Sequence, residues 1–134
     1  MDADLAYLRT RVPAYADYED EDARHLVDKQ VRAYVGEALS KLRERLGKSI
    51  SGEQEEELEN VLLMCEFTNQ QFVHIIDHAL LSNDDVEHLH TVDRELIEEA
   101  EKAGSIEPAA LLDYLKAIAA LFARRAKAVF APAA

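Results

Sequence analysis

The sequence predicts an all-α protein, an antiparallel four-helix bundle with a short additional N-terminal helix. Apolar residues recur at steps of three and four over long stretches, which is the period of an amphipathic helix. No useful length of chain alternates apolar and polar residues, as a half-buried strand would. Helix-breaking residues fall at the predicted boundaries, at Pro13, Gly47, Gly52, Gly104 and Pro108.

We expect one domain, because 134 residues is the size of a single ordinary domain. An N-terminal arm with a short helix comes first, and four main helices follow with connections of only a few residues, which predicts antiparallel neighbours. The predicted ranges are 1–17 for the arm and 21–46, 53–81, 84–103 and 108–130 for the main helices.

Start and stop signals support each main helix. Gly47 ends the first, and Ser51 with Gln54 three residues later is typical of a capping box that opens the second. Ser82 is placed to cap the third helix, and Gly104 follows its last turn. The fourth helix then opens at a proline, which the first turn of a helix tolerates.

The charge balance argues against some classes of partner. The chain has 27 acidic against 15 basic residues, for a net charge of −12. A protein that binds duplex nucleic acid or an anionic membrane needs clustered Lys and Arg residues, so we expect neither as a partner. The N-terminus lacks the positive charge of a secretory leader, and no apolar run approaches the roughly 20 residues of a membrane span. We therefore expect a cytoplasmic protein.

The second helix has an unusual outer face. Its bundle face carries Cys65, which we interpret as a small core residue rather than a nucleophile. The opposite face is too apolar to be solvated, so we expect something to cover it. The two candidates are the N-terminal segment, with Leu8, Tyr15 and Tyr18, and a second copy of the chain. The predicted interface residues are Leu63, Met64, Phe67, Gln70, Ile75 and Leu81.

A group of histidines offers an alternative, a metal site. His74 and His78 are one helical turn apart, a spacing that can present two imidazoles to one ion. The turn that follows brings further nitrogen and oxygen donors near them. A transition metal such as Zn or Fe would be held by His74, Asp77, His78, Glu87, His88 and His90. Otherwise these histidines are exposed or interfacial side chains at helix ends.

Catalytic motifs are missing from the sequence, so we do not predict an enzyme. There is no Gly-x-Ser-x-Gly, no P-loop and no dinucleotide-binding glycine pattern. The acidic runs Asp17–Asp22 and Glu53–Glu59 are typical of solvated helix starts that match the helix dipole. Arg124, Arg125 and Lys127 suit the C-terminal end of the last helix for the same reason.

These observations favour a non-enzymatic protein–protein interaction or regulatory domain without a cofactor. We expect a homodimer that forms through the outer face of helix 53–81, and the acidic helix starts could also steer a basic protein partner. The first alternative is the metal-binding bundle. The second is a small-molecule pocket between helices, lined by Asn69 and Gln70.

Overall fold

Helices account for nearly all of the regular structure in residues 2–66 and 75–130, which are the residues that the computed structural model describes. No strand occurs within these residues, so the all-helical class is confirmed. Residues 75–78 are helical, and short 3₁₀ turns flank several of the longer helices. We label the longer helices α1 (Ala3–Arg11), α2 (Arg24–Leu46), α3 (Gly52–Glu66), α4 (Asn83–Glu101) and α5 (Pro108–Phe130).

The second predicted helix differs most from the observed elements. Its first part is α3, its middle lies outside the described residues, and its last helical residue is His78. The chain therefore leaves the helix before Leu81, where the predicted helix ends. The guanidinium of Arg24 meets the carbonyl oxygens of Ile76 and Ala79 at this point, and such contacts satisfy a helix C-terminus.

Side-chain caps fix the helix starts. Ser51 Oγ accepts from the amide of Gln54 (3.2 Å), while the amide of Ser51 donates to Gln54 Oε1 (3.0 Å), as the predicted capping box requires. Ser82 and Asp85 form a second capping box at the start of α4. Asp2 caps α1, because its carboxylate accepts from two backbone amides.

Four long helices contact one another in a closed cycle. α2 packs on α3 and α4, and α5 packs on the same two helices from the other side. Arg43 near the end of α2 pairs with Glu55 near the start of α3, so these two helices run in opposite directions. Arg124 late in α5 pairs with Glu95 in α4, and Tyr114 early in α5 bonds to the carbonyl of Glu99. α4 and α5 are therefore also antiparallel.

The two helical pairs are joined side by side. Arg45 at the end of α2 donates to the carbonyls of Ala103 and Ile106, just beyond α4, so α2 and α4 run in the same direction. As a result, the start of α2, the end of α3, the start of α4 and the end of α5 lie at one end of the molecule.

The N-terminal segment lies against α4 rather than on the outer face of α3. α1 packs along α4, and Leu8 is fully buried there. Tyr15 and Tyr18 direct their hydroxyls to Asp93 in the interior of α4. Among the described residues, the buried side chains of this segment therefore pack on α4 rather than on the outer face of α3.

The apolar core lies between α2, α3, α4 and α5. Gly36 in α2 allows close approach to α3, because a Cβ at this position would lie 3.1 Å from Cys65 Cβ. Cys65 is buried, as its position on the bundle face predicts. Of the described helices, none is both long and apolar enough to cross a membrane. The fully buried core side chains include Val31, Val35, Leu39, Leu58, Leu89, Leu96, Ile97, Leu111, Leu115 and Ile118.

Candidate functional site

Arg125 is the centre of a buried polar cluster that joins three helices. Its Nη1 donates to Asp28 Oδ1 of α2 (2.5 Å), and its Nε donates to Asp93 Oδ1 of α4 (2.7 Å). The side chains of all three residues are at most 2% exposed. An unpaired charge at such a site would be very costly, so the pairing is obligatory. Burial acts to lower the pKa of Arg125, but the surrounding groups raise it well above its usual value.

Two tyrosines of the N-terminal segment form hydrogen bonds with this cluster. Tyr15 donates to Asp93 Oδ2 (2.8 Å), and the Tyr18 hydroxyl donates to the same oxygen. Tyr18 also accepts from Arg125 Nη2 (2.8 Å). Burial raises the pKa of both tyrosines above the usual value, so their hydroxyls remain protonated donors. The N-terminal segment thus contributes directly to the interior of the molecule.

His90 forms a second buried ion cluster next to the first. Its Nδ1 lies 2.5 Å from Asp2 Oδ2, and its Nε2 lies 2.6 Å from Asp17 Oδ1. Burial acts to lower the pKa of His90, but hydrogen bonds to Asp17 and Asp2 outweigh it and raise the pKa to about 9. The imidazole is therefore protonated at neutral pH, and both ring nitrogens donate. Asp17 has a φ of 71°, a left-handed conformation that Asp tolerates better than most residues.

The geometry of these clusters favours attachment of the N-terminal segment over catalysis. Arg125, Asp93 and Tyr18 are each no more than 1% exposed, and their polar atoms bond to one another. A substrate could not reach them without displacing residues 15–18. The clusters therefore hold the N-terminal segment on α4 and α5 in a fixed position.

Sequence reasoning missed most of this arrangement. Arg125 is buried at the centre of the molecule, although its position near the end of the last helix was explained by the helix dipole alone. Asp17 is 7% exposed, so it does not belong to a solvated acidic run. His90 is 2% exposed, which differs from the exposed or interfacial position expected for it. One available signal was the helical spacing of Arg125 from Phe122 and Val129, which places it on the core face.

The predicted interface residues fall into three groups. Leu63 and Met64 are 44% and 38% exposed near the end of α3. Ile75 and Leu81 are half-buried and pack against the core. Phe67 and Gln70 lie outside the described residues, as does Asn69 of the predicted small-molecule pocket.

Among the described residues, the most exposed large apolar side chains lie at helix ends that share one end of the molecule. They are found at the start of α2, near the end of α3, just before α4 and at the end of α5. Leu80 stands out, because it is 90% exposed in the connection to α4. We call this region the apolar end. Among the described residues it contains Leu26, Leu63, Met64, Leu80 and Phe130.

The predicted metal ligands are not brought together within the described residues. His78, Glu87 and His88 are exposed, and His90 is held by Asp2 and Asp17. Asp77 Oδ1 lies 3.5 Å from His25 Nδ1. His74 lies outside the described residues. In the part of the chain that the structure describes, no group of three or more His, Cys, Asp or Glu is placed to hold a metal ion.

Comparison with protein-family models, with curated proteins and with solved structures gives no match for this chain.

A groove of about 450 Å³ lies between α2 and α4, at the end opposite the apolar end. Its charged side chains already have partners. Lys41 pairs with Glu37 (3.4 Å), Arg45 donates to the carbonyl of Ala103, and Glu101 pairs with α1. Small residues, among them Ala38, Ala100 and Ala103, also line it.

Proposed function

We propose that this protein is a non-enzymatic helical interaction domain that self-associates through its apolar end. The observation that carries the proposal is that the exposed large apolar side chains among the described residues lie at helix ends sharing one end of the molecule. Monomeric soluble proteins rarely expose such groups together, and a second copy of the chain is the commonest partner. The position of α1 on α4 supports a second copy over the N-terminal segment as the cover.

The proposal also includes the architecture and location. We infer that α2, α3, α4 and α5 form a four-helix bundle, made of two antiparallel hairpins placed side by side. This inference is supported by the closed cycle of helix contacts. We further propose a cytoplasmic location. A basic protein remains a second candidate partner, since the net charge is −12.

Self-association is tested by sedimentation equilibrium of the wild-type chain and of Leu63→Glu. Leu63 is 44% exposed on α3, so the substitution adds a charge to the surface without opening the core. Burial of one leucine is worth about 1.5–3 kcal/mol, so we expect the dimer of the variant to dissociate at least about tenfold more readily.

The matched control is Ala109→Glu. Ala109 is exposed in the first turn of α5, at the end opposite the apolar end, and should leave association unchanged. A wild-type chain that stays monomeric at every concentration would exclude the proposal. Equal weakening by both variants would show that added charge, rather than the apolar end, controls association.

A further inference from the structure

The N-terminal segment is attached by polar contacts along its length as well as by burial of Leu8. We call residues 2–18 the latch. Asp2 and Asp17 hold His90, and Asp4 accepts from Thr91 Oγ1 (2.7 Å) and from Arg94. Further along, the latch tyrosines bond to Asp93 and Arg125, as described above.

Arg24 connects the latch to the apolar end. Its Nε donates to the carbonyl of Tyr18, the last latch residue (2.8 Å). Its Nη1 donates to the carbonyl of Ala79 (2.7 Å) and to that of Ile76 (3.2 Å). The side chain is buried, with Arg24 4% exposed, and its hydrogen bonds satisfy these backbone oxygens.

Both carbonyls occur where the helix at 75–78 ends. The last turn of a helix leaves carbonyl oxygens without intrahelical partners, and an arginine side chain can satisfy them. One guanidinium therefore serves as the C-terminal cap of this helix and as an anchor of the latch. The neighbouring Ile75 and Leu81 are two of the predicted interface residues.

We infer that the latch and residues 75–81 are energetically coupled through Arg24. Docking of the latch on His90 and Asp93 fixes the Tyr18 carbonyl, which orients Arg24 to cap the helix at 75–78. Release of the latch removes one anchor of Arg24 and loosens residues 75–81. By linkage, a partner that orders residues 75–81 tightens the latch by the same factor. Only this last consequence, the control of partner binding, rests on the proposed function.

Hydrogen exchange of four proteins tests the coupling: wild type, His90→Gln, Arg24→Gln and the double variant. The measurements are made at a dilution where sedimentation shows a monomer, so that failure of self-association leaves the result unaffected. His90→Gln weakens the latch, so we expect faster exchange in residues 2–11. We also expect residues 75–81 to exchange about tenfold faster or more, while residues 52–62 of α3 stay unchanged.

The double variant separates coupling from general loosening. If Arg24 transmits the effect, His90→Gln adds little to the exchange of residues 75–81 once Arg24→Gln is present. Equal effects of His90→Gln in both backgrounds would overturn the inference, as would a loosened latch with unchanged exchange at 75–81. If His90→Gln fails to fold, Asp4→Asn takes its place, because the half-buried side chain of Asp4 bonds only to Thr91 and Arg94 within the described hydrogen bonds.

Discussion

Single residues decide how the latch is held, and the contrast between two neighbouring ion pairs shows why. Asp93 and Glu95 lie two positions apart on α4, and each pairs with an arginine of α5. The Asp93–Arg125 pair is at most 1% exposed, whereas the side chains of Arg124 and Glu95 are 48% and 41% exposed. The buried pair should therefore matter far more to stability than the exposed one.

Asp93→Asn should lower the free energy of unfolding by about 3–5 kcal/mol, because it leaves the charge of Arg125 undercompensated in the interior. Urea denaturation followed by circular dichroism measures this change. Glu95→Gln makes the same carboxylate-to-amide change on the same helix and should cost about 1 kcal/mol or less. Similar costs for the two variants would contradict the assignment of Asp93 to the buried cluster around Arg125.

Because of His90, the stability of the folded protein should fall as the pH becomes alkaline. The pKa of His90 is raised in the folded protein, so its contribution is complete below about pH 6.5 and is lost as the pH rises through about 9. The loss is on the order of 3 kcal/mol, since a tenfold change in proton affinity is worth about 1.4 kcal/mol.

Urea midpoints measured between pH 6 and pH 9.5 test this expectation. His90→Gln cannot titrate, so its stability should change less across this range than that of the wild type. Parallel curves for the two proteins would show that another group causes the pH dependence. His90 lowers the pKa values of Asp2 and Asp17 despite their burial. Protonation of these two carboxylates should therefore weaken the latch only at acidic pH.

At the scale of helices, α2 ends at Gly47, whose backbone has a positive φ. Gly47 has a φ of 51° and a ψ of −121°, a backbone conformation that residues with a Cβ rarely adopt. Nothing lies within 4 Å of a Cβ built on Gly47 or on Gly104, so steric contact with neighbours is the same for both. Gly104 lacks the positive φ, and the two glycines therefore form a matched pair.

Gly47→Ala should lower the free energy of unfolding by about 1–3 kcal/mol, because the strain of the left-handed conformation remains in the folded state. Gly104→Ala should lower the free energy of unfolding by no more than about 0.5 kcal/mol. The substitution can even stabilise the protein, because alanine reduces the conformational freedom of the unfolded chain. Thermal unfolding of both variants compares them directly. A larger loss for Gly104→Ala would exclude backbone strain at Gly47 as the cause.

Periodicity and capping signals predicted most of the helices, because local sequence determines both features. Pro108 as a first-turn residue and Ser82 as a cap correspond to observed helix starts. The end of the helix at residue 78 could not be predicted, since it depends on Arg24, which is distant in sequence. The buried clusters were missed for the same reason. Nothing local to Arg125 indicates that Asp28 and Tyr18 will meet it.

At the scale of the whole molecule, the net charge of −12 does not show where a partner would bind. Several acidic residues serve inside the fold, where Asp28, Asp93 and Asp17 compensate buried cations. Because Arg24, Arg125 and His90 are buried with these acids, the net charge of the surface stays strongly negative. The apolar end provides the more specific evidence for a binding surface, because its exposed leucines have no role in the core.

Hydrogen exchange as a function of protein concentration tests the interaction surface most directly. At high concentration, amides near Leu63 and in residues 75–82 should exchange more slowly than at low concentration, because a second copy covers them. The amides at the start of α5, at the opposite end, should exchange at the same rate under both conditions. Protection confined to α5, or exchange that is independent of concentration throughout, would contradict self-association through the apolar end.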